Sequence, residues 1–123
     1  FREIEREVLQ EVAQFENTII STGGGAPCFF DNMDWMNRTG ITIYLKVSVS
    51  ELTRRLITGR QKRPLIRDKN REDLEQFIAA NLNKREAWYN RATIIFPAEQ
   101  LQTKKGIDTI VNDLIERINE SKI

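Results

Sequence analysis

Residues 17–27, Asn17-Thr18-Ile19-Ile20-Ser21-Thr22-Gly23-Gly24-Gly25-Ala26-Pro27 (NTIISTGGGAP), join a short β-branched run to three consecutive glycines. The run reads as a buried strand and the glycines as the turn that ends it. Glycines at the carboxyl end of a strand let backbone N–H groups face a ligand at close range, as in anion-binding nests. The spacing is neither GxGxxG nor GxxxxGK[ST], so the stretch alone reads as well as a tight strand-to-helix turn. The flanking sequence has to decide.

Upstream, Phe1, Ile4, Val8, Leu9, Val12 and Phe15 form one apolar face of a helix. No Ser, Thr, Asp or Asn precedes Phe1, so the chain is expected to open in mid-helix, downstream of a further segment. After the glycines, Asp31 can cap a short helix through about Asn37, stopped near Gly40. ITIYLKV (41–47) is a second strand, and Ser48 or Ser50 can cap a helix carrying Leu52 and Leu56 towards Gly59. The basic stretch 59–73, with Pro64, reads as a mobile loop. Asn70 and Asp73 resemble a capping box for a helix burying Leu74, Phe77, Ile78 and Leu82, which runs on into Arg85, Trp88 and Tyr89. ATIIF (92–96) is a third strand ended by Pro97. Ile107, Ile110, Val111, Leu114, Ile115 and Ile118 mark a long closing helix. Strands alternating with helices imply a parallel α/β sheet, with ligands at the carboxyl ends of its strands.

At 123 residues and 14.4 kDa the chain fits one domain. Its composition, 40% hydrophobic and 30% charged, is that of a soluble globular protein. Nineteen basic against eighteen acidic residues leave a formal net charge of +1, so no global field argues for nucleic acid or a membrane surface. The absence of a signal-like start or a long apolar run makes a cytoplasmic location the expectation. Cys28 is the only cysteine, which excludes an internal disulfide. With no histidine, Ser-His-Asp and Cys-His nucleophile systems and His-ligated metal sites are excluded. Chemistry falls to carboxylates, arginines, lysines and backbone.

Four motifs then occur in order: FR at 1–2, STGGGAP at 21–27, RPLI at 63–66 and KREAWYNRA at 84–92. Together they resemble the shikimate kinase family, P-loop enzymes of the nucleoside-monophosphate-kinase type that phosphorylate the 3-hydroxyl of shikimate with ATP. The resemblance covers the whole chain. It implies a three-layer α/β/α domain around a parallel sheet of order 2-3-1-4-5, of which 17–21, 41–46 and 93–96 would be the last three strands. Strands 41–46 and 93–96 should then pair. Ile19-Ile20 and Ile43-Tyr44 should run parallel but unpaired, about 9–10 Å apart, flanking a slot expected to be filled by an upstream segment, a swapped chain or a collapsed pairing.

For the site, the resemblance implies that Arg2 and Arg85 clamp the shikimate carboxylate, a role suited to the planar guanidinium fork. It implies that Gly23, Gly24 and Gly25 bring amides up to the ring hydroxyls, and that Arg63, in a lid loop over 59–71, closes on the ATP phosphates as a catalytic residue. Arg55, or less suitably Arg54, would lie against adenine, with FPAEQL (96–101) as the adenine-side loop. Read without the family, these arginines are solvated charges, Trp88 and Tyr89 are core packing, and Cys28 is a small buried filler. Asp31 and Asp34 in DNMDWM read as a cap and a surface charge, not metal ligands.

The chain departs from the family pattern in two places. No GxxxxGK[ST] occurs, so the phosphate-contacting lysine and the Mg²⁺-holding hydroxyl are missing from it, as is the substrate-side aspartate before FR. The chain is therefore expected to be a partial domain (1–123), inactive alone, of a kinase that uses Mg²⁺ held by an upstream segment. The expected partners are shikimate and ATP, not nucleic acid or membrane, in a monomeric enzyme of aromatic amino-acid (chorismate) biosynthesis. Two alternatives remain open: another small-molecule kinase of this fold, gluconate-kinase-like, or a non-enzymatic module using the basic segment 54–71. That segment has no interleaved aromatic for base stacking.

Overall fold

The computed structural model describes residues 1–59, 70–99 and 104–121. Its elements are α1 (Arg2–Val12), a 3₁₀ turn (Ala26–Cys28), α2 (Asn32–Thr39), β1 (Ile43–Lys46), α3 (Val49–Gly59), α4 (Arg71–Tyr89), β2 (Ile94–Pro97) and α5 (Lys104–Ser121). The capping residues set several of these boundaries. The Asn70 side chain accepts from the Asp73 amide at 2.8 Å to start α4, and the Ser48 hydroxyl accepts from the Glu51 amide at 3.2 Å to start α3. Asp31 stands at the N-cap of α2 but makes no cap bond with its side chain, because its carboxylate is turned to Arg6.

β1 and β2 pair parallel, Ile43 against Ile94 through Lys46 against Pro97. This is the pairing expected for 41–46 and 93–96. Pro97 occupies the last rung of the ladder rather than ending the strand before it. It has no N–H to give, and the next bond comes from the Ala98 amide to the Lys46 carbonyl at 2.9 Å. One face of β2 is buried, through Ile94 and Phe96, while Ile95 on the other face is exposed.

The best-packed region lies between α3 and α4. Leu74 and Ile78 are buried there against Val49, Leu52, Leu56, Ile57 and Phe77. A second group, α1, the 3₁₀ turn and α2, packs at the carboxyl-terminal half of α4, and α5 lies against β2.

The run 17–22 does not form the expected strand. A strand needs a neighbour to take up its alternating amides and carbonyls, and among the described residues 17–22 has none, so the segment follows a left-handed Asn17 (φ 54°) without a ladder. Ile19 is 97% exposed. No pairing of 17–21 with 41–46 occurs, so the collapsed alternative is not adopted. The expected apolar faces of α1 and α5 are likewise open. Leu9 alone is buried on α1, and no described residue of α5 is. No described helix is long and apolar enough to cross a membrane.

Candidate functional site

The three glycines leave the irregular segment 17–22 and enter the 3₁₀ turn, with the Gly23 carbonyl accepting from the Ala26 amide at 3.2 Å and the Gly25 carbonyl from the Cys28 amide at 3.0 Å. None of them has a positive φ, so left-handed backbone is not why glycine stands here. At two of the three a side chain would crowd its neighbours. A Cβ on Gly24 would lie 3.0 Å from Nη1 of Arg85 and 3.1 Å from the Tyr89 hydroxyl, and one on Gly25 would lie 2.5 Å from Nη2 of Arg2. Space beside Gly23 is open to at least 4 Å. The structure thus brings Arg2, from the start of α1, and Arg85, from the end of α4, onto consecutive glycines.

The two arginines are held differently. Nη1 of Arg2 donates to Oε1 of Glu5 at 2.7 Å, and its guanidinium lies over the rings of Phe29, at 4.2 Å from the centroid, and Phe1, at 5.3 Å. Among the described residues nothing accepts a hydrogen bond from Arg85. The turn is anchored to α4 by the Tyr89 hydroxyl, which donates to the Gly24 carbonyl at 2.5 Å. The Tyr89 ring packs on Tyr44 of β1, centroids 5.1 Å apart. On the other side, buried Asn32 donates to the Ala26 carbonyl at 2.8 Å.

Two titrating groups respond to this environment. Burial pushes the Cys28 thiol above the usual thiol range, with Arg85 and then Arg2 pulling the other way. Burial, reinforced by Glu86 and Tyr89, raises Tyr44 in the same direction. Cys28 is only half-buried, and its thiol points to the Gly24 carbonyl at 3.8 Å, so it is less of a core filler than expected.

A second cluster forms where β2 leaves the sheet. Arg55 of α3 donates to the carbonyls of Ala98, at 3.2 Å, and Glu99, at 2.9 Å, and to Glu51 at 2.8 Å. The Glu99 carboxylate accepts from the Ser48 amide and hydroxyl. Arg54, by contrast, points to solvent and pairs only with Glu51 among the described residues. Arg63, most of the 59–71 segment and the end of FPAEQL lie outside the described residues.

No described group of three or more Asp, Glu or Cys side chains could hold a metal ion. Asp31 is taken by Arg6 at 3.0 Å and Asp34 by Arg91. The described residues thus form no all-protein cage for a cation.

The sequence missed Tyr89, Phe29 and Glu5 as members of the glycine site. Tyr89 stands four residues after Arg85 on one helix and Glu5 three after Arg2, spacings that put each pair on a shared face. Phe29 carried no such signal.

Comparison with known proteins gives concordant results. The family model described as shikimate kinase matches residues 1–119. The shikimate kinase of Parabacteroides distasonis is 52% identical over 116 residues, covering 94% of this chain and 67% of that one, and the shikimate kinase of Phocaeicola vulgatus is 46% identical, covering 98% and 69%. The crystal structure of shikimate kinase from Bacteroides thetaiotaomicron superposes with a TM-score of 0.92 at 47% identity, covering 96% of this chain and 67% of that one. The chain thus spans about two thirds of the length of these relatives.

Proposed function

The chain belongs to the shikimate kinase family, and from that premise we propose that the full-length protein transfers the γ-phosphoryl group of ATP to the 3-hydroxyl of shikimate, with the Arg2–Gly25 and Arg85–Gly24 contacts marking where the acid end of the acceptor sits. The meeting of two guanidinium groups from distant helices on consecutive glycines carries this reading. Two cations beside open backbone suit a carboxylate on a hydroxylated ring, since each guanidinium offers a planar pair of donors and the amides of the turn offer more at short range. Tyr89 and Asn32 tie the turn down from both sides, so the donors are in place before the acceptor arrives.

ATP is proposed to lie toward the exit of β2. With Nε committed to Glu51 and Nη2 to Ala98 and Glu99, the Arg55 guanidinium is held in place so that its flat face can lie against a base. Arg63 of the proposed lid segment 59–71 is assigned to the transferring phosphoryl group, where positive charge counts most as the transition state forms. Mg²⁺ is proposed to accompany ATP, as in phosphoryl transfer generally, held by none of the residues described. A cytoplasmic, monomeric enzyme of aromatic amino-acid biosynthesis that binds neither nucleic acid nor membrane completes the proposal.

The test is ADP release by the full-length protein with ATP, Mg²⁺ and shikimate. Release should depend on shikimate and should not occur with gluconate. Equal turnover of gluconate, or none with shikimate, would overturn the reading.

A further inference from the structure

We propose that Phe29 is a positioning residue for the acid-binding site, its ring holding the Arg2 guanidinium against the glycine turn and so setting the affinity for the acceptor's carboxylate. The inference rests on the reading of the site as a shikimate site and adds a residue to it. Phe29 is an apolar side chain left 40% exposed at a loop, and core packing does not account for its placement. The Arg2 guanidinium lies 4.2 Å from its centroid, the shortest of the contacts between an arginine and a ring among the described residues.

The backbone commits the ring to that place. The 3₁₀ turn ends at Cys28, Phe29 is extended (φ −121°, ψ 147°), and Phe30 takes a left-handed φ of 51°, a region bulky residues seldom use. The reversal is closed by the Asn32 amide on the Phe29 carbonyl at 3.2 Å. It sends Phe29 to Arg2 and Phe30 to Arg6, whose guanidinium lies 5.5 Å from the Phe30 centroid.

An aromatic ring against a guanidinium occupies its face and leaves the N–H groups of its plane available. Glu5 takes Nη1, while Nη2 stands over Gly25, facing the proposed ligand. A long arginine side chain otherwise loses rotamer freedom on binding an anion, and a ring that already restricts it reduces that loss.

The experiment compares Phe29→Leu with Phe29→Tyr in the full-length protein. Phe29→Leu should raise KM for shikimate about 3- to 10-fold, a size consistent with loss of one cation–π contact, and leave KM for ATP unchanged. The loss should fall on KM more than on kcat, since the carboxylate is held alike in ground and transition states. Phe29→Tyr keeps the ring face and should restore the KM. An unchanged shikimate KM in Phe29→Leu, an equal rise in KM for ATP, or a Tyr variant no better than Leu would overturn the proposal. A double-mutant cycle of Phe29→Leu with Arg2→Met on the melting temperature of the ligand-free protein reads the contact without substrate. Non-additive losses are expected and additive losses refute the stack. If the wild-type protein did not turn over shikimate, the cycle would still report on Phe29, so the two readings fail separately.

Discussion

Arg2 and Arg85 are both half-buried, yet one has a carboxylate on a single nitrogen and the other has no acceptor among the described residues. Such donors gain most from an anionic ligand, because desolvation has been met in part before it binds. Replacing either by Ala in the full-length protein should therefore weaken shikimate binding by about 2–4 kcal/mol, roughly 30- to 1,000-fold in Kd, and leave ATP affinity nearly unchanged. Calorimetry with each ligand checks this, and a loss confined to ATP would show that the arginines serve the other substrate. Cys28 gives a reading that needs no turnover. Because burial raises its pKa, less thiolate is present at any given pH than in a free thiol, so iodoacetamide should label it more slowly at pH 8, and its rate should rise with pH later. Labelling as fast as a small free thiol would mean that the two arginines outweigh burial. At this scale the sequence was half legible. Three glycines pointed to close approach of a ligand, and what the structure sets against Gly24 and Gly25 is the side-chain ends of Arg85, Tyr89 and Arg2. What touches them was not visible, since residues 2, 85 and 89 meet those glycines only through the fold.

The helices were the most readable elements, because apolar spacing and capping residues both act locally. Asn70 shows it well: its side chain closes on Asp73 as the sequence suggested, although only the half of the box made by Asn70 is formed. Asn70→Ala should cost about 1 kcal/mol, seen as a lower melting temperature, with Asn70→Ser recovering most of it. An unchanged melting temperature would place the start of α4 under the control of its packing on α3 instead. The segment 17–22 marks where local signals run out. β-branched composition favours extended backbone, but a strand becomes an element only through its neighbour, and the identity of that neighbour is not written in six residues. The same limit applies to α1 and α5, whose apolar stripes were read correctly as stripes, whereas what would cover them is not a local signal.

For the whole molecule the relevant quantity is area. A compact monomer of 14.4 kDa exposes about 6,800 Å², whereas this chain exposes 8982 Å². Large apolar side chains stand exposed in rows: Phe1, Ile4 and Val8 along α1, Ile19 and Ile20 beside the glycines, Leu45 and Ile95 on opposite faces of the sheet, and Ile107, Val111 and Ile115 along α5. Exposed large apolar side chains in such number invite association, and the two-stranded sheet adds open strand edges that invite further pairing. Among the described residues the best-closed core is the α3–α4 contact, built on Leu74 and Ile78. A polypeptide of these 123 residues, prepared by itself, should therefore keep helical circular dichroism while binding a hydrophobic dye such as ANS, unfold over a broad temperature range, and associate as its concentration rises. The full-length protein, carrying the same residues, should bind little dye and unfold in one sharp transition. Dye titration, thermal melts and sedimentation of the two samples side by side decide it. A sharp, concentration-independent transition without dye binding in the 123-residue polypeptide would mean that these rows pack on one another in solution, and that the exposure at Ile19, Leu45 and Ile115 is not a property of the folded chain.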